Sequence, residues 1–349
     1  MKIMFNKEIG EIASILHSLY YACNINELLD RLKAENIVID EAIEKDFQVI
    51  NNSKKLLREE LDFFFNSESH IWKSLIHTKK MWNYSTIDDF LDSIYDLSSI
   101  EIRERLFIKL NKEKSEVDYN EINDVIKNDK GFINYIKRLN VSSGTKWGLY
   151  CFTQDIDDYT NKFVEFIKKY IPLYNKVFEK HRIENESFNK YIEKRINEEG
   201  MDFIRLITKK YFNVENFKEI YVTTSFYNTY NINFAIEENS LYIYIGTKYI
   251  ETLNRHIREN RIEENILVYK NLSDKTRFEI MKFLLTGEYF GQEIANKFGI
   301  STAAVSYQMN YLFAANLIHI EKKDRKVYYA LNKETLSNSI DFLKEEFAL

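Results

Sequence analysis

The chain has 349 residues, 45% of them hydrophobic and 15% aromatic, with 49 Lys and Arg against 54 Asp and Glu, a net charge of −5. That length predicts at least two domains with ample apolar material for a large core, and the near-balanced charge argues against strong non-specific binding to nucleic acid. No apolar run approaches membrane-spanning length, and the opening MKIMFNKEIGEIASIL lacks a signal-peptide core, so a cytoplasmic protein is expected. Cys23 and Cys151 are far apart and share no motif; both are expected to be small buried residues, not a disulfide or a thiolate site.

To about residue 215 the pattern is helix after helix. Ile9, Ile12, Ile15, Leu16 and Leu19 form one apolar stripe and Leu28, Leu29 and Leu32 another. Phe47 and Ile50 continue it, and Phe63, Phe64 and Phe65 form an aromatic cluster. Further helices are predicted near 87–97, 100–111, 119–138, 157–182 and 185–212, with Pro172 starting or kinking a helix. At Glu219 the character changes. Residues 220–226, 231–236 and 241–245 are β-rich runs separated by Asn and Glu, read as a small antiparallel meander. A long charged helix is predicted from about Tyr249 to Tyr269, giving an N-terminal domain over 1–248, a connecting helix over 249–262 and a C-terminal domain over 263–349.

The C-terminal domain is the informative one. Asp274 to Leu285 reads as a capped amphipathic helix. Gly291 to Leu312, GQEIANKFGISTAAVSYQMNYL, has the form of helix, tight turn and helix. Ile294, Ala295 and Phe298 share a face of the first helix, Gly299 permits the sharp exit, and Ser301 is a candidate N-cap. Val305, Met309 and Leu312 make one apolar face of the second helix. The opposite face carries Thr302, Ala303, Ser306, Tyr307 and Asn310, with no charge, which suits a surface that enters a groove and reads base edges. Two β-rich runs, 317–320 and 327–331, flank a tip where Lys322, Lys323, Arg325 and Lys326 stand ready for phosphates. The last helix carries Leu336, Ile340, Leu343 and Phe347 at heptad-like spacing.

These residues resemble the ArsR-type family of bacterial winged-helix regulators. The likeness rests on Asp274-x-x-Arg277, on Ser301 to Ser306 with its Ser-x-x-x-Val-Ser form, and on Tyr328-Tyr329-x-Leu331. It covers about the last quarter of the chain. Gln308 departs from it, standing where the family usually has histidine, and is read as a packing or hydrogen-bond change at the helix edge. The resemblance implies a winged helix that binds double-stranded DNA, a homodimer built on the final helix and the helix preceding the winged helix, and repression more than activation.

Other candidate sites have plainer readings. Metal-sensing relatives need about four converging ligands. Here the helix around Gln292 to Lys297 has no cysteine, the last helix has no histidine, and His70 and His77 read as incidental, so no metal and no cofactor are expected. The acidic clusters at Asp88-Asp89 and Asp155 to Asp158 precede helices and read as caps and first-turn carboxylates. Ser142 to Gly148 lacks phosphate-loop spacing and reads as a loop between helices. The aromatics Trp72, Trp82, Trp147, Tyr150 and Phe152 are core material or the lining of a ligand pocket. The fold class is therefore mainly α with some β: a large helical N-terminal domain with a small antiparallel sheet, and a C-terminal winged helix-turn-helix. The function that follows is a DNA-binding transcriptional regulator, not an enzyme, with a small-molecule effector acting through the N-terminal domain. An enzyme with a fused winged helix, or a protein-interaction module, are the alternatives.

Overall fold

The computed structural model describes residues 2–349 except 77, 85, 112–124, 127, 210, 212, 324 and 325. Its contacts divide the chain into two compact units, Met1–Ile250 and Glu251–Leu349, and the helix Tyr249–Leu272 spans the division.

The central element of the first unit is the helix Glu8–Cys23. Twelve of its sixteen residues are buried, so the predicted stripe is only part of what it hides. A helix enclosed on nearly every side must satisfy its polar groups internally. Ser18 Oγ donates to the Ile15 carbonyl at 2.7 Å, and Ser14 Oγ accepts from the Phe226 N–H at 2.7 Å. Gly10 brings this helix against a strand, because a Cβ there would stand 2.6 Å from the Thr224 carbonyl oxygen. Helices Ile25–Ala34, Glu41–Asn52, Lys54–Phe65, Ile87–Ile94, Ser99–Leu110, Ser143–Gln154 and Ile156–Phe178 contribute to one aromatic-rich core with it.

The helix predicted near 157–182 is Ile156–Phe178, with Pro172 inside it and buried Tyr170 and Tyr174 on either side. One helix prediction changes. The helix expected over 185–212 is two, Arg182–Glu199 and Met201–Thr208, broken at Gly200 with φ 56°. Of the helix expected over 119–138, the structure shows Asp129–Arg138, and 119–124 lie outside the described residues.

The sheet corrects the expected antiparallel meander. It contains β1 (Lys2–Phe5), β2 (Glu219–Ser225), β3 (Ile232–Glu237) and β4 (Ser240–Gly246) in the order β1-β2-β4-β3. Only β3 and β4 pair antiparallel; β1 with β2 and β2 with β4 are parallel. The cause lies in Phe226–Asn228, a buried turn whose Phe226 and Tyr227 anchor it in the core between β2 and the β3–β4 hairpin. The chain thereby reaches β3 on the far side of β4, and β4 returns beside β2 in the same direction.

His17 illustrates what burial in this unit costs. Asn233 Nδ2 donates to its Nε2 at 3.2 Å, which leaves Nδ1–H to donate to Ser225 Oγ at 2.7 Å. Burial, reinforced by the Lys73 charge, pushes its pKa down to about 3 from the ordinary 6.5. The unfolded chain therefore takes up a proton that the folded chain refuses. Stability is full above pH 6.5 and falls on acidification towards pH 3, by about 1.4 kcal/mol per pH unit. Urea denaturation at pH 7.5 and 5.5 should show this fall, and His17→Gln should flatten it.

In the second unit, Lys275–Leu284, Gly291–Phe298 and Thr302–Ala314 pack beneath a sheet of β5 (Tyr289–Phe290), β6 (Ile318–Lys323) and β7 (Lys326–Leu331) in the order β5-β7-β6. Ile280, Leu284, Ile294, Val305, Met309, Leu312 and Leu317 fill its core. The two-residue β5, which pairs with Tyr328 and Tyr329, is too short for any alternation to reveal from sequence. Together these elements make a winged helix.

Candidate nucleic-acid interface

The turn between Gly291–Phe298 and Thr302–Ala314 is fixed by backbone chemistry. Gly299 adopts the left-handed conformation at φ 64°, and the Ile300 N–H donates back to the Ala295 carbonyl at 3.1 Å. Ser301 Oγ then accepts from the Ala304 N–H at 3.1 Å, capping the second helix. With Val305, Met309 and Leu312 buried beneath, Thr302, Ala303, Ser306, Tyr307 and Asn310 all stand exposed on the outer surface.

A chain of contacts ties this surface to the preceding helix. Asp274 caps Lys275–Leu284 through the Arg277 N–H at 2.9 Å and also faces the Arg277 guanidinium at 3.4 Å. Arg277 Nη1 donates to Gln308 Oε1 at 3.3 Å, so Gln308 does make a hydrogen bond at the helix edge. The guanidinium also lies 5.0 Å from the Tyr311 ring centroid. The Tyr307 and Tyr311 hydroxyls are 3.0 Å apart, and that hydrogen bond raises the Tyr307 pKa. Tyr311 is absent from the sequence-based set, although its i, i+4 spacing from Tyr307 is the signal that points to it.

The wing is the β6–β7 hairpin, in which Lys323 pairs with Lys326. Lys326 Nζ sits 4.2 Å from the Phe290 ring centroid. Arg325 lies outside the described residues, as does His77. On the last helix, Lys333–Phe347, Ser339 and Phe342 are the buried residues. Leu336 and Leu343 are half-buried, whereas Ile340 is 56% and Phe347 68% exposed. The inner side is held by the Tyr269 hydroxyl donating to the Ser339 carbonyl at 2.8 Å and by Arg258–Glu346 and Arg261–Glu345 pairs, each 2.7 Å.

Elsewhere, Thr86 and Asp155 are N-caps, accepting from the Asp89 and Asp158 N–H groups. Ser142 to Gly148 is not a loop: Ser142 caps the helix Ser143–Gln154, because its hydroxyl reaches the Thr145 N–H. Both cysteines are free and only half-buried, a correction to the expected full burial. Burial and the neighbouring Asp62 push the Cys23 thiol up to about 12, which keeps it protonated. Among the described residues no group of three or more His, Cys, Asp or Glu is placed to hold a metal, and no helix is long and apolar enough to cross a membrane. One polar cluster escapes sequence reasoning. Buried Asp46 receives Lys180 at 2.6 Å, His181 Nε2 at 2.7 Å and the Tyr227 hydroxyl at 3.0 Å. Burial would raise its pKa, but these partners outweigh burial and hold it below the usual carboxylate value. Its members are too far apart in sequence for any local pattern to join them.

Comparison with known proteins places these features. A family model described as "Bacterial regulatory protein, arsR family" matches residues 274–319. The transcriptional repressor SdpR of Bacillus subtilis (strain 168) is 36% identical over 76 residues, which are 22% of this chain and 84% of SdpR. Among solved structures, an ArsR-like transcriptional regulator from Rhodococcus sp. RHA1 is 26% identical, with 26% of this chain and 84% of that one covered and a TM-score of 0.25. HlyU from Vibrio cholerae N16961 is 21% identical over 26% of this chain and 99% of its own, with a TM-score of 0.22.

Proposed function

The chain belongs, through its C-terminal quarter, to the arsR family of bacterial regulatory proteins, and from that premise we propose that it is a homodimeric, sequence-specific repressor of transcription whose N-terminal unit controls its hold on DNA. The observation that carries the reading is the uncharged outer face of Thr302–Ala314, capped by Ser301 and tied through Gln308 to Arg277. Bases are read by groups that donate, accept or pack, and this face offers uncharged groups of each kind. Asn310 suits an adenine edge, Ala303 and Tyr307 a thymine methyl, and Ser301, Thr302 and Ser306 the backbone. Lys322, Lys323, Arg325 and Lys326 of the wing take phosphates. The dimer reading is supported by the exposed Ile340 and Phe347 beside half-buried Leu336 and Leu343, and by exposed Ile257, Ile266 and Leu267 on the helix that precedes the winged helix. SdpR is described as a repressor, which is the basis for proposing repression here. The protein acts in the cytoplasm, where its DNA is.

The test separates reading from holding. Asn310→Ala should cost roughly 1–3 kcal/mol on the operator and relax preference at one base pair per half-site. Lys323→Gln with Lys326→Gln should weaken operator and scrambled DNA alike and lower the salt slope by about 1 for each phosphate that is no longer neutralised. Salt titrations of both variants on both DNAs check this. If neither variant changes affinity or specificity, the winged helix is a protein-interaction module instead.

A further inference from the structure

The helix Thr302–Ala314 carries two tyrosines one turn apart, and both are exposed, Tyr307 at 57% and Tyr311 at 45%. An exposed tyrosine ordinarily samples several rotamers, and a ring that moves selects poorly between base positions. Here the two rings are joined. Their hydroxyls are 3.0 Å apart, and the rings meet edge to face with centroids 4.9 Å apart at 70°. Each tyrosine has one O–H, and one of the two is used within the pair.

Arg277 supports this pair from the preceding helix. Its side chain is only 15% exposed, its Nη2 faces the Asp274 carboxylate at 3.4 Å, and its Nη1 donates to Gln308 Oε1 at 3.3 Å. A guanidinium so enclosed and engaged is poorly placed to neutralise a phosphate. What it still offers is its charge against the Tyr311 ring, whose centroid is 5.0 Å away. Asp274 is itself fixed, because it caps its helix through the Arg277 N–H. Edge-to-face and cation–ring contacts each shift a rotamer equilibrium by a factor of roughly 2 to 10. Order is thereby passed outwards, from a capped helix start through Arg277 to Tyr311, and from Tyr311 to Tyr307. We propose that Tyr311 is a positioning residue for base reading, which holds the Tyr307 ring against one thymine methyl in each half-site with Arg277 as its mount. Such positioning rests on the reading of DNA proposed above, and it adds a residue that need not touch a base itself.

A methyl scan tests it. The operator is selected from random duplexes with the full-length protein, and each of its thymines is then replaced in turn by deoxyuridine, which removes one methyl and nothing else. The parent should lose about fourfold in affinity at the thymine against which Tyr307 packs, as expected for one buried methyl. Tyr307→Ala should abolish that loss and so identify the position. Tyr311→Phe keeps the ring beside Arg277 and removes only the hydroxyl, and Tyr307→Phe removes the same hydrogen bond from the other side. Each should cut the penalty at that one thymine to about twofold or less, and the double variant should do no more than either alone, because all three lose one bond. If both single variants keep the full penalty, if their effects add, or if the change spreads evenly over all positions, Tyr311 does not position Tyr307. An operator that is bound specifically but has no methyl to which Tyr307→Ala becomes blind also overturns the role of Tyr311, and leaves sequence-specific binding intact. A selection that enriches no sequence overturns the reading of DNA itself, and the role of Tyr311 with it.

Discussion

Replacing Ile340 and Leu343 by aspartate should turn the proposed dimer into a monomer in sedimentation and abolish operator binding. Two carboxylates set into an apolar seam must be desolvated without partners, a cost of about 3 kcal/mol or more to the dimer. Because Ile340 is 56% exposed within its own chain, Ile340→Asp alone should change unfolding stability by only about 0.5 kcal/mol while still loosening the dimer. Stability and association are thereby separated, which the half-buried Leu343 cannot do by itself. A folded double variant that still sediments as a dimer places the interface elsewhere.

Gly246→Ala should be among the most destabilising single methyl additions in the first unit. A Cβ at Gly246 would stand 2.1 Å from the Thr229 carbonyl oxygen and 2.8 Å from the Asn228 carbonyl carbon, both backbone atoms that cannot swing aside. Asn228 is also a junction: its Oδ1 accepts from Tyr21 and Asn233, and its Nδ2 donates to the Asn231 and Tyr244 carbonyls. Moving that backbone strains the packing and the hydrogen bonds together, for about 3 kcal/mol or more. Urea denaturation measures it. Gly144→Ala is the matched control: nothing lies within 4 Å of its added methyl, inside the helix Ser143–Gln154, and it should be neutral or stabilising by about 0.5 kcal/mol. Equal destabilisation by both would show that Gly246 is not a point of close approach.

The winged helix was legible because its signals are local. Asp274, Gly299 and Ser301 mark helix ends within a few residues of the groups they bond, and Val305, Met309 and Leu312 repeat at the helical period. Three strands of the small sheet were legible, but β1 (Lys2–Phe5) and the pairing were not. Alternation tells which residues are extended, whereas pairing direction depended on where Phe226 and Tyr227 found burial. Gly200 was a readable break, because a glycine inside a helical pattern marks a candidate helix end. Asp46 with His181, and Trp72 beside His17, could not be read at all, because each joins segments whose proximity exists only once the central helix is enclosed.

The parallel pairing of Lys2 with Glu219 also bears on how the protein is made. The first strand leaves the ribosome roughly 200 residues before its partner, so the sheet of this unit cannot close during most of synthesis. Throughout that time the apolar residues of Glu8–Cys23 lack the strand they will pack on. Completion of this unit is therefore a late, long-range event, slow by the entropy of closing so large a loop, and the nascent chain in that interval is a natural client for chaperones.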